Sequence, residues 1–189
     1  MQQDNSMKNK KLIFLLPLIL FIVMVVLLFT GLGKDPTKLD SQLIGKDVPE
    51  FEKSLLLSED TIITQENIRG PALINVFASW CPSCYHEHPY LMELSKNKTV
   101  KVYGLNYKDK RFAGKKFIND LGNPYDLIIF DDNGRLGIDM GVYGAPETFV
   151  INAENKIVYR YVGVVNEQVW LNVLKPKMFS TSESVKGEG

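Results

Sequence analysis

The hydrophobic residues of this chain fall first into one long block and then into short segments separated by polar turns. Residues 12–30 include no charged residue and consist almost entirely of Leu, Ile, Val, Phe and Met. A helix of that length spans roughly 28 Å, close to the thickness of the hydrocarbon core of a bilayer. The block therefore predicts a single transmembrane helix, in which Pro17 is tolerated near the start.

A cleaved signal peptide is the alternative interpretation of the same block. Its apolar region is usually about 7–15 residues long and ends in a small-x-small motif, which residues 29–33 match poorly. Lysines cluster before the block rather than after it, so the positive-inside rule puts the N-terminus in the cytoplasm and the following residues outside. We therefore expect a cytoplasmic arm over residues 1–11 and an uncleaved anchor over residues 12–30, embedded in the lipid bilayer.

Beyond the block, the pattern changes to that of a folded domain. Residues 31–47 mix Gly, Lys, Asp, Pro and Ser, which suits a linker, and residues 179–189 form a polar tail. Between them, the domain of residues 48–178 alternates strands with helices and ends in a hairpin and a helix. Alternating units predict an α/β fold whose sheet is parallel at its centre, and the hairpin adds antiparallel strands at an edge. The predicted strands cover residues 72–78, 100–105, 127–130, 147–152 and 156–162, and the predicted helices cover residues 85–96, 111–121, 135–140 and 167–174.

Composition and charge narrow the function classes. The chain has 189 residues, of which 45% are hydrophobic and 23% are charged, so a packed core is available. The formal net charge is zero, and this balance argues against nucleic acid as a partner.

The chain contains only two cysteines, Cys81 and Cys84, between a predicted strand and a predicted helix. A structural disulfide over this short separation would close almost no loop and so contribute little stability. A zinc site could be imagined with His86 and His88, but all four groups lie at the start of one helix, where they cannot surround one ion. A c-type haem attachment site would need His at the position of Tyr85. The spacing therefore favours redox catalysis, which needs no cofactor beyond the redox-active disulfide.

The position of the pair assigns a role to each thiol. The unpaired backbone N–H groups at a helix start stabilise a thiolate, and thiols there have pKa values lowered from about 8.5 toward 3.5–7.5. We therefore predict that Cys81, the outer and exposed thiol, attacks a substrate disulfide, and that Cys84, one turn farther on, resolves the mixed disulfide. Pro82 and Ser83 set the geometry of the intervening loop. Pro146, before a predicted strand, is a candidate cis proline that belongs to the same site.

Three segments resemble the thioredoxin superfamily and, within it, the cytochrome c biogenesis thioredoxin-like proteins of the CcmG/DsbE type. They are residues 75–89, with Trp80-Cys81-Pro82-Ser83-Cys84 at their centre, residues 103–109 and residues 141–149. The likeness covers roughly residues 41–176 together with the anchor. It implies a thioredoxin-like fold, a mixed sheet flanked by helices, held in the periplasm by an anchor in the bacterial inner membrane.

The resemblance also implies a client, a partner and a binding surface. It describes a dithiol reductant that keeps the haem-binding cysteines of apocytochrome c, or of their thiol carrier protein, reduced for haem attachment. A membrane electron-donor thiol protein of the DsbD/CcdA type would recharge it. Pro146 would be cis and lie against the cysteines, and the backbone of Ala145 would offer hydrogen bonds to a bound peptide. The residues expected to contact the partner are Trp80, Pro82, Ser83, Tyr107, Asp109, Tyr143, Gly144 and Ala145.

The sequence departs from ordinary thioredoxin, which carries a buried acid on the strand before the cysteines, because Asn75 holds that position here. Two carboxyl groups are candidates to replace it as the proton acceptor for Cys84: Glu87, three residues after Cys84, and Glu147, next to Pro146. Each also has a purely structural interpretation, a solvated helix face for Glu87 and a strand-end surface acid for Glu147. Because the implied fold itself brings Pro146 to the cysteines, the sequence slightly favours Glu147.

Three hypotheses follow for the function. The leading one is a specific reductase in c-type cytochrome maturation. The second is a broader extracytoplasmic disulfide reductase, or an oxidant of folding proteins. The third is a metal or haem chaperone that uses Cys81, Cys84 and His88, and the lack of a distant ligand pair counts against it.

Overall fold

The computed structural model describes the backbone of residues 4–31 and 43–179 and the side chains of residues 15–28 and 43–179. Most of the predicted linker, the predicted polar tail after its first residue, and the first three residues of the predicted arm lie outside the described residues. The chain divides into two compact units, residues 1–38 and residues 39–189.

The first unit contains one long helix, α1, over Asp4–Gly31, with Pro17 inside it. Large hydrophobic side chains are exposed along it from Leu15 to Leu28. Within the described parts of the chain, no helix combines the length and the apolar character that crossing a membrane requires. The transmembrane span therefore stays a prediction.

The second unit is a mixed sheet flanked by helices, which confirms the predicted α/β fold class. Its strands are β1 (Glu52–Ser54), β2 (Ile62–Thr64), β3 (Ala72–Phe77), β4 (Lys101–Tyr107), β5 (Leu127–Asp131), β6 (Glu147–Ile151) and β7 (Ile157–Val162). Its helices are α2 (Pro82–Lys96), α3 (Arg111–Leu121), α4 (Arg135–Asp139), α5 (Glu167–Val169) and α6 (Lys175–Phe179), with a π-helical turn, Trp170–Leu174, between α5 and α6.

The main sheet has the strand order β5-β4-β3-β6-β7. Strands β3, β4 and β5 are parallel, whereas β6 pairs antiparallel with both β3 and β7. The predicted parallel centre and antiparallel final hairpin are therefore confirmed. A separate antiparallel pair, β1 with β2, was not predicted, because three-residue strands are too short to show a periodic pattern.

The two faces of the sheet bury different sets of side chains, because successive residues of a strand point to opposite sides. Leu73 and Phe77 of β3 lie in the hydrophobic cluster that contains both cysteines and residues of α2 and α3. We call this side the cysteine face. Ile74 and Val76 lie in a second cluster on the other side, which we call the opposite face. Asn75 shares the parity of Leu73 and Phe77 and therefore points to the cysteine face.

The C-terminal helical segment begins as predicted but does not end where predicted. Asn166 caps it by accepting a hydrogen bond from the backbone N–H of Val169 at 3.0 Å. The sequence predicts an end before Pro176, but the helical backbone continues through α6 to Phe179. The π-helical turn ends at Leu174, and Pro176 is the second residue of α6.

Candidate active site

The two cysteines lie where β3 gives way to α2. Cys81 is the N-cap of α2, Pro82 is its first residue, and Cys84 lies in its first turn. A disulfide joins the two cysteines, and the backbone N–H of Cys84 also points at the sulfur of Cys81, at 3.2 Å. Cys81 is 2% exposed and Cys84 is 1% exposed. The prediction that Cys81 is exposed is therefore wrong for the disulfide form, in which both cysteines are buried.

The asymmetry between the thiols comes from the helix start rather than from exposure. The backbone N–H of Cys84, in the first turn of α2, donates to the Cys81 carbonyl at 3.1 Å and also points at the Cys81 sulfur at 3.2 Å. A thiolate at Cys81 gains both that hydrogen bond and the favourable field of the helix N-terminus. Both cysteines belong to the buried cluster, but Cys84 lies inside the first turn rather than at the N-cap, so its thiolate is less stabilised.

This asymmetry predicts which thiol of the reduced protein reacts first with an alkylating agent. Cys81 is expected to react with iodoacetamide near neutral pH much faster than Cys84, because only the thiolate is nucleophilic. Mass spectrometry of the partly alkylated protein measures the two rates. Equal rates, or a faster Cys84, would reverse the roles assigned to the two thiols.

The loop before Cys81 is fixed by a buried carboxylate. Asp109 is 8% exposed and accepts hydrogen bonds from the backbone N–H of Ser79 at 2.6 Å, from the Ser79 hydroxyl at 2.7 Å and from the Asn106 amide at 2.9 Å. Trp80 donates from its indole N–H to the carbonyl of Lys108 at 2.9 Å, which adds a second link to the same segment. Asp109 therefore anchors the active-site loop and does not line a partner groove, contrary to the prediction.

Tyr107 was also predicted to contact a partner, and its position excludes this role. Its side chain is 4% exposed and belongs to the cluster on the opposite face of the sheet. It shares the parity of Leu105 and Tyr103, which point to the same side. Tyr107 is therefore a core residue.

The other predicted contact residues lie on two segments, the loop around Cys81 and the loop before Pro146. The Ala145–Pro146 peptide bond is cis, as the resemblance implies, and Ala145 packs against the cluster that contains both cysteines. Tyr143 is 76% exposed on this loop, and Trp80 is 53% exposed on the loop before Cys81. Pro82 is exposed, and Ser83 and Gly144 are partly exposed. Each of these two loops thus carries one exposed aromatic side chain.

Glu147 lies next to Pro146 but is committed to holding the loop. One carboxylate oxygen accepts from the backbone N–H groups of Tyr143 and Gly144, at 2.8 and 3.0 Å. The other forms an ion pair with Arg160, at 2.8 Å from Nε and 2.7 Å from Nη2. Its strand neighbours of the same parity, including Phe149, lie on the opposite face. The preference for Glu147 as the proton acceptor is therefore wrong, because its side chain points away from the cysteine face.

Glu87 has the environment expected of a proton acceptor. It is 1% exposed, so the predicted alternative of a solvated helix face is excluded. Its carboxyl oxygens accept one hydrogen bond each, from the Asn75 side-chain amide at 2.9 Å and from the backbone N–H of Val165 at 3.0 Å. Burial raises the pKa of Glu87 to about 7, although these hydrogen bonds oppose the rise. Cys84 precedes it by three residues on the same buried side of α2, where residues are neighbours.

The raised pKa of Glu87 predicts a pH-dependent loss of stability. In the unfolded chain the carboxyl ionises near its ordinary value of about 4.5, whereas in the folded chain it keeps its proton up to about 7. Between these values the folded state binds more protons, so the free energy of unfolding falls as the pH rises. In Glu87→Gln this fall is expected to be absent. Urea unfolding of both proteins between pH 4 and 8 measures the difference, and parallel curves would contradict the assignment.

The two histidines differ in their surroundings. His86 is exposed. His88 is 3% exposed, lies edge-on to Phe117 at 5.0 Å between ring centroids, and bonds through Nε2 to the carbonyl of Gly122 at 3.0 Å. Burial lowers the pKa of His88, so the neutral ring is favoured. The ring therefore ties α2 to the end of α3, in keeping with a packing role.

Sequence reasoning missed three residues around the two carboxyl groups. The ion pair of Arg160 could have been predicted, since a cation inside a strand of otherwise apolar positions needs a buried anion. Thr148 accepts from the Asn75 amide at 3.2 Å, and the Tyr125 hydroxyl donates to the Asn75 carbonyl oxygen at 2.8 Å. Neither gave a signal, because Thr148 is an ordinary strand residue and Tyr125 lies in an irregular segment 50 residues from Asn75.

Comparison with solved structures supports the fold. A putative thioredoxin from Neisseria meningitidis superposes with a TM-score of 0.60 at 21% identity, covering 71% of this chain and 91% of that one. A putative thiol:disulfide interchange protein DsbE from Chlorobium tepidum superposes with a TM-score of 0.57 at 22% identity, covering 69% of this chain and 92% of that one. At these identities the likeness establishes the thioredoxin-like fold alone.

Comparison of sequences identifies the family. The model of the Redoxin family matches residues 43–174. The thiol:disulfide interchange protein DsbE of Vibrio cholerae is 50% identical over 174 residues, covering 89% of this chain and 94% of the relative. The protein of the same name from Escherichia coli K12 is 44% identical over 177 residues, covering 88% and 94%. With its disulfide-bonded Cys81 and Cys84 at a helix start, the chain belongs to the Redoxin family, among the DsbE thiol:disulfide oxidoreductases.

Proposed function

We propose that this protein reduces disulfides of a specific client outside the cytoplasm, with Glu87 as the proton acceptor for Cys84. The observation that carries the proposal is the buried Glu87 carboxyl, whose pKa of about 7 lets it take a proton near neutral pH. Resolution of the mixed disulfide needs the thiolate of Cys84, and Glu87 is a buried carboxyl one helical turn beyond it.

The proposed reaction transfers two electrons from the dithiol to the client. The Cys81 thiolate attacks one sulfur of the client disulfide, and the other client sulfur leaves as a thiolate that takes a proton from water. Glu87 then accepts the proton of the Cys84 thiol. The Cys84 sulfur attacks Cys81, so that the Cys81–Cys84 bond forms, the bond between Cys81 and the client breaks, and the second client thiolate is released.

The proposed client is apocytochrome c, or the thiol carrier protein of its haem-binding cysteines. The names of the relatives support thiol:disulfide interchange, and the resemblance in residues 141–149 supports the narrower role. The exposed rings of Trp80 and Tyr143 and the backbone of Ala145 would receive an extended client segment beside the disulfide. A dithiol of the membrane electron donor, of the DsbD/CcdA type, would then reduce the Cys81–Cys84 bond.

Trapping the mixed disulfide tests the client. In Cys84→Ala, Cys81 can attack the client but no thiol can release it, so the client stays bound. We expect the adducts recovered from cells to contain apocytochrome c or a thiol carrier protein and to be absent from Cys81→Ala. A broad collection of exported proteins instead would favour the general reductase or oxidant.

We also propose that α1 holds the protein in the bacterial inner membrane with the disulfide in the periplasm. The supporting observations are the uncharged residues 12–30 and the exposed hydrophobic side chains from Leu15 to Leu28. The full-length protein is expected in the membrane fraction, with Cys81 open to a reagent that does not cross the bilayer. A soluble mature form that begins near Gly31 would contradict the anchor.

The metal or haem chaperone is the weaker candidate on geometry. Cys81 and Cys84 are bonded to each other, and the proposed third ligand, His88, is buried against Phe117 with Nε2 on the Gly122 carbonyl. A zinc or haem titration of the reduced protein, run beside a redox titration, separates the two functions.

A further inference from the structure

A buried amide lies between Glu87 and a buried phenol. The side chain of Asn75 donates from Nδ2 to Glu87 at 2.9 Å and accepts at Oδ1 from the Tyr125 hydroxyl at 2.8 Å. Asn75 is fully buried, and Tyr125 is 5% exposed. The three side chains come from β3, α2 and the segment before β5. They form one continuous hydrogen-bonded chain on the cysteine face.

Tyr125 is held rigidly enough to act on the amide. Its ring stacks on Phe77 with 4.9 Å between centroids and 17° between planes. Gly104 leaves the room for this stack, since a Cβ there would lie 3.0 Å from atoms of both rings. The position of the hydroxyl is therefore set by packing that does not involve Glu87.

The orientation of an amide decides what it offers to a carboxyl group. Nδ2 facing Glu87 donates a hydrogen bond, which favours the charged carboxylate. If the amide turned over, Oδ1 would face Glu87 and could only accept, which favours the protonated carboxyl. In this structure Tyr125 donates to Oδ1 and Thr148 accepts from Nδ2, and both contacts hold the donor side toward Glu87.

We propose that Tyr125 is a positioning residue that, through Asn75, sets the pH at which Glu87 takes a proton. The Tyr125 hydroxyl keeps the amide of Asn75 turned with its donor toward Glu87. Any effect of Tyr125 on catalysis rests on the proposed role of Glu87 in the reductase reaction. The hydrogen-bonded chain from Tyr125 to Glu87 is independent of that role.

The groups around Glu87 include few that change charge near neutral pH, so the orientation of the Asn75 amide is the feature that can change the pKa of Glu87. Tyr125 is the titratable group that faces it from the segment before β5, and burial raises the pKa of that phenol well above its ordinary value, so it stays protonated. Cys84 is the titratable neighbour on α2, and His88, next in sequence, bonds to Gly122 instead. Strands β3 and β6 and the segment after β7 contribute Asn75, Thr148 and the N–H of Val165, which do not titrate.

Tyr125→Phe is the direct test, because it removes the hydroxyl and keeps the ring. Without the donor at Oδ1, the amide can turn its carbonyl toward Glu87. We expect the pKa of Glu87 to rise by about one unit, a tenfold change in its dissociation constant. Client reduction should then slow about fivefold at pH 7, where fewer Glu87 side chains are ionised, and should approach the parent rate at higher pH.

Tyr103→Phe is the matched control. Tyr103 is also buried and bonds through its hydroxyl to the backbone N–H and carbonyl of Arg69, but it lies on the opposite face. The Tyr103→Phe variant shows how much the loss of a buried phenol hydroxyl changes stability and rate when the surroundings of Glu87 are left intact. Its Glu87 titration and its pH–rate profile are expected to match those of the parent.

Two measurements on the full-length protein decide the proposal. Isotope-edited infrared spectroscopy follows the carboxyl of Glu87 through its titration, assigned by its loss in Glu87→Gln, and a rate series follows client reduction from pH 5 to 9. An unchanged Glu87 titration in Tyr125→Phe, or slowing by one factor at every pH, would overturn it. A shifted titration with unchanged rates would support the positioning role and count against Glu87 in the proposed function.

A double variant guards against a folding defect. In Asn75→Leu the amide is gone, so adding Tyr125→Phe should leave the Glu87 titration unchanged relative to Asn75→Leu alone. The comparison with Asn75→Leu alone cancels the loss of the Asn75 hydrogen bonds to Glu87 and Thr148, which both variants share. A further shift in the double variant would mean that Tyr125 acts on Glu87 by another route and would overturn the proposal.

Discussion

Replacing Glu87 by Gln is expected to slow the reduction of a protein disulfide near pH 7 by about 10-fold or more. General bases usually contribute factors of roughly 10²–10⁴, so the expected loss lies near the low end of that range. Gln cannot accept the proton of Cys84, whose thiol lies in the apolar cluster and loses its proton reluctantly. The rate is measured with insulin or the client as the oxidant, across pH. The loss should shrink at high pH, where water and hydroxide ionise Cys84 unaided.

Glu93→Gln is the matched control for this experiment. Glu93 lies on the same helix but is exposed, so its loss should leave the rate unchanged. If Glu87→Gln and Glu93→Gln both match the parent at every pH, another group or water takes the proton. Glu87 would then leave the catalytic mechanism.

Replacing Glu147 by Gln is expected to lower the free energy of unfolding by about 3–5 kcal/mol, the usual cost of breaking a buried ion pair. The variant leaves the Arg160 guanidinium, on a side chain 3% exposed, without its anion. It also weakens the hold on the loop that carries Tyr143 and Gly144. Urea unfolding at neutral pH measures the loss.

The exposed ion pair between Lys156 and Asp47, at 2.6 Å, is the control for this loss. Asp47→Asn should cost no more than about 1 kcal/mol, since surface pairs contribute little. The double variant Glu147→Leu with Arg160→Met should recover much of the stability, because neither partner is then left charged and unpaired. A Glu147→Gln protein within about 1 kcal/mol of the parent would contradict the buried-pair assignment.

The sequence predicted elements well where the pattern was long. Helix α3, over Arg111–Leu121, was predicted with the observed bounds, because eleven residues show the spacing of an apolar helical face. The pair of β1 and β2 was missed, since three residues contain no period. The helical segment after Asn166 extends beyond its predicted end, since Pro176 lies inside α6 rather than after the last helix.

The candidate site was predicted in its chemistry but only partly in its geometry. The roles of Cys81 and Cys84 followed from a motif at a strand–helix junction. The choice between Glu87 and Glu147 did not follow, because closeness in sequence to Pro146 says nothing about which face of the sheet a side chain occupies. Strand parity decides that question, and it became usable only once the cysteine face was known. Tyr125 reaches Asn75 through the fold, beyond the range of any sequence pattern.

The central claim, that Cys81 and Cys84 form a reducing pair, is tested most directly by equilibrating the protein with glutathione. The expectation rests on the resemblance of residues 75–89 and 141–149 to the cytochrome c biogenesis reductants. We expect a potential nearer the value of thioredoxin, about −270 mV, than the oxidant end at about −120 mV. A potential above about −150 mV would make the protein an oxidant and contradict the account.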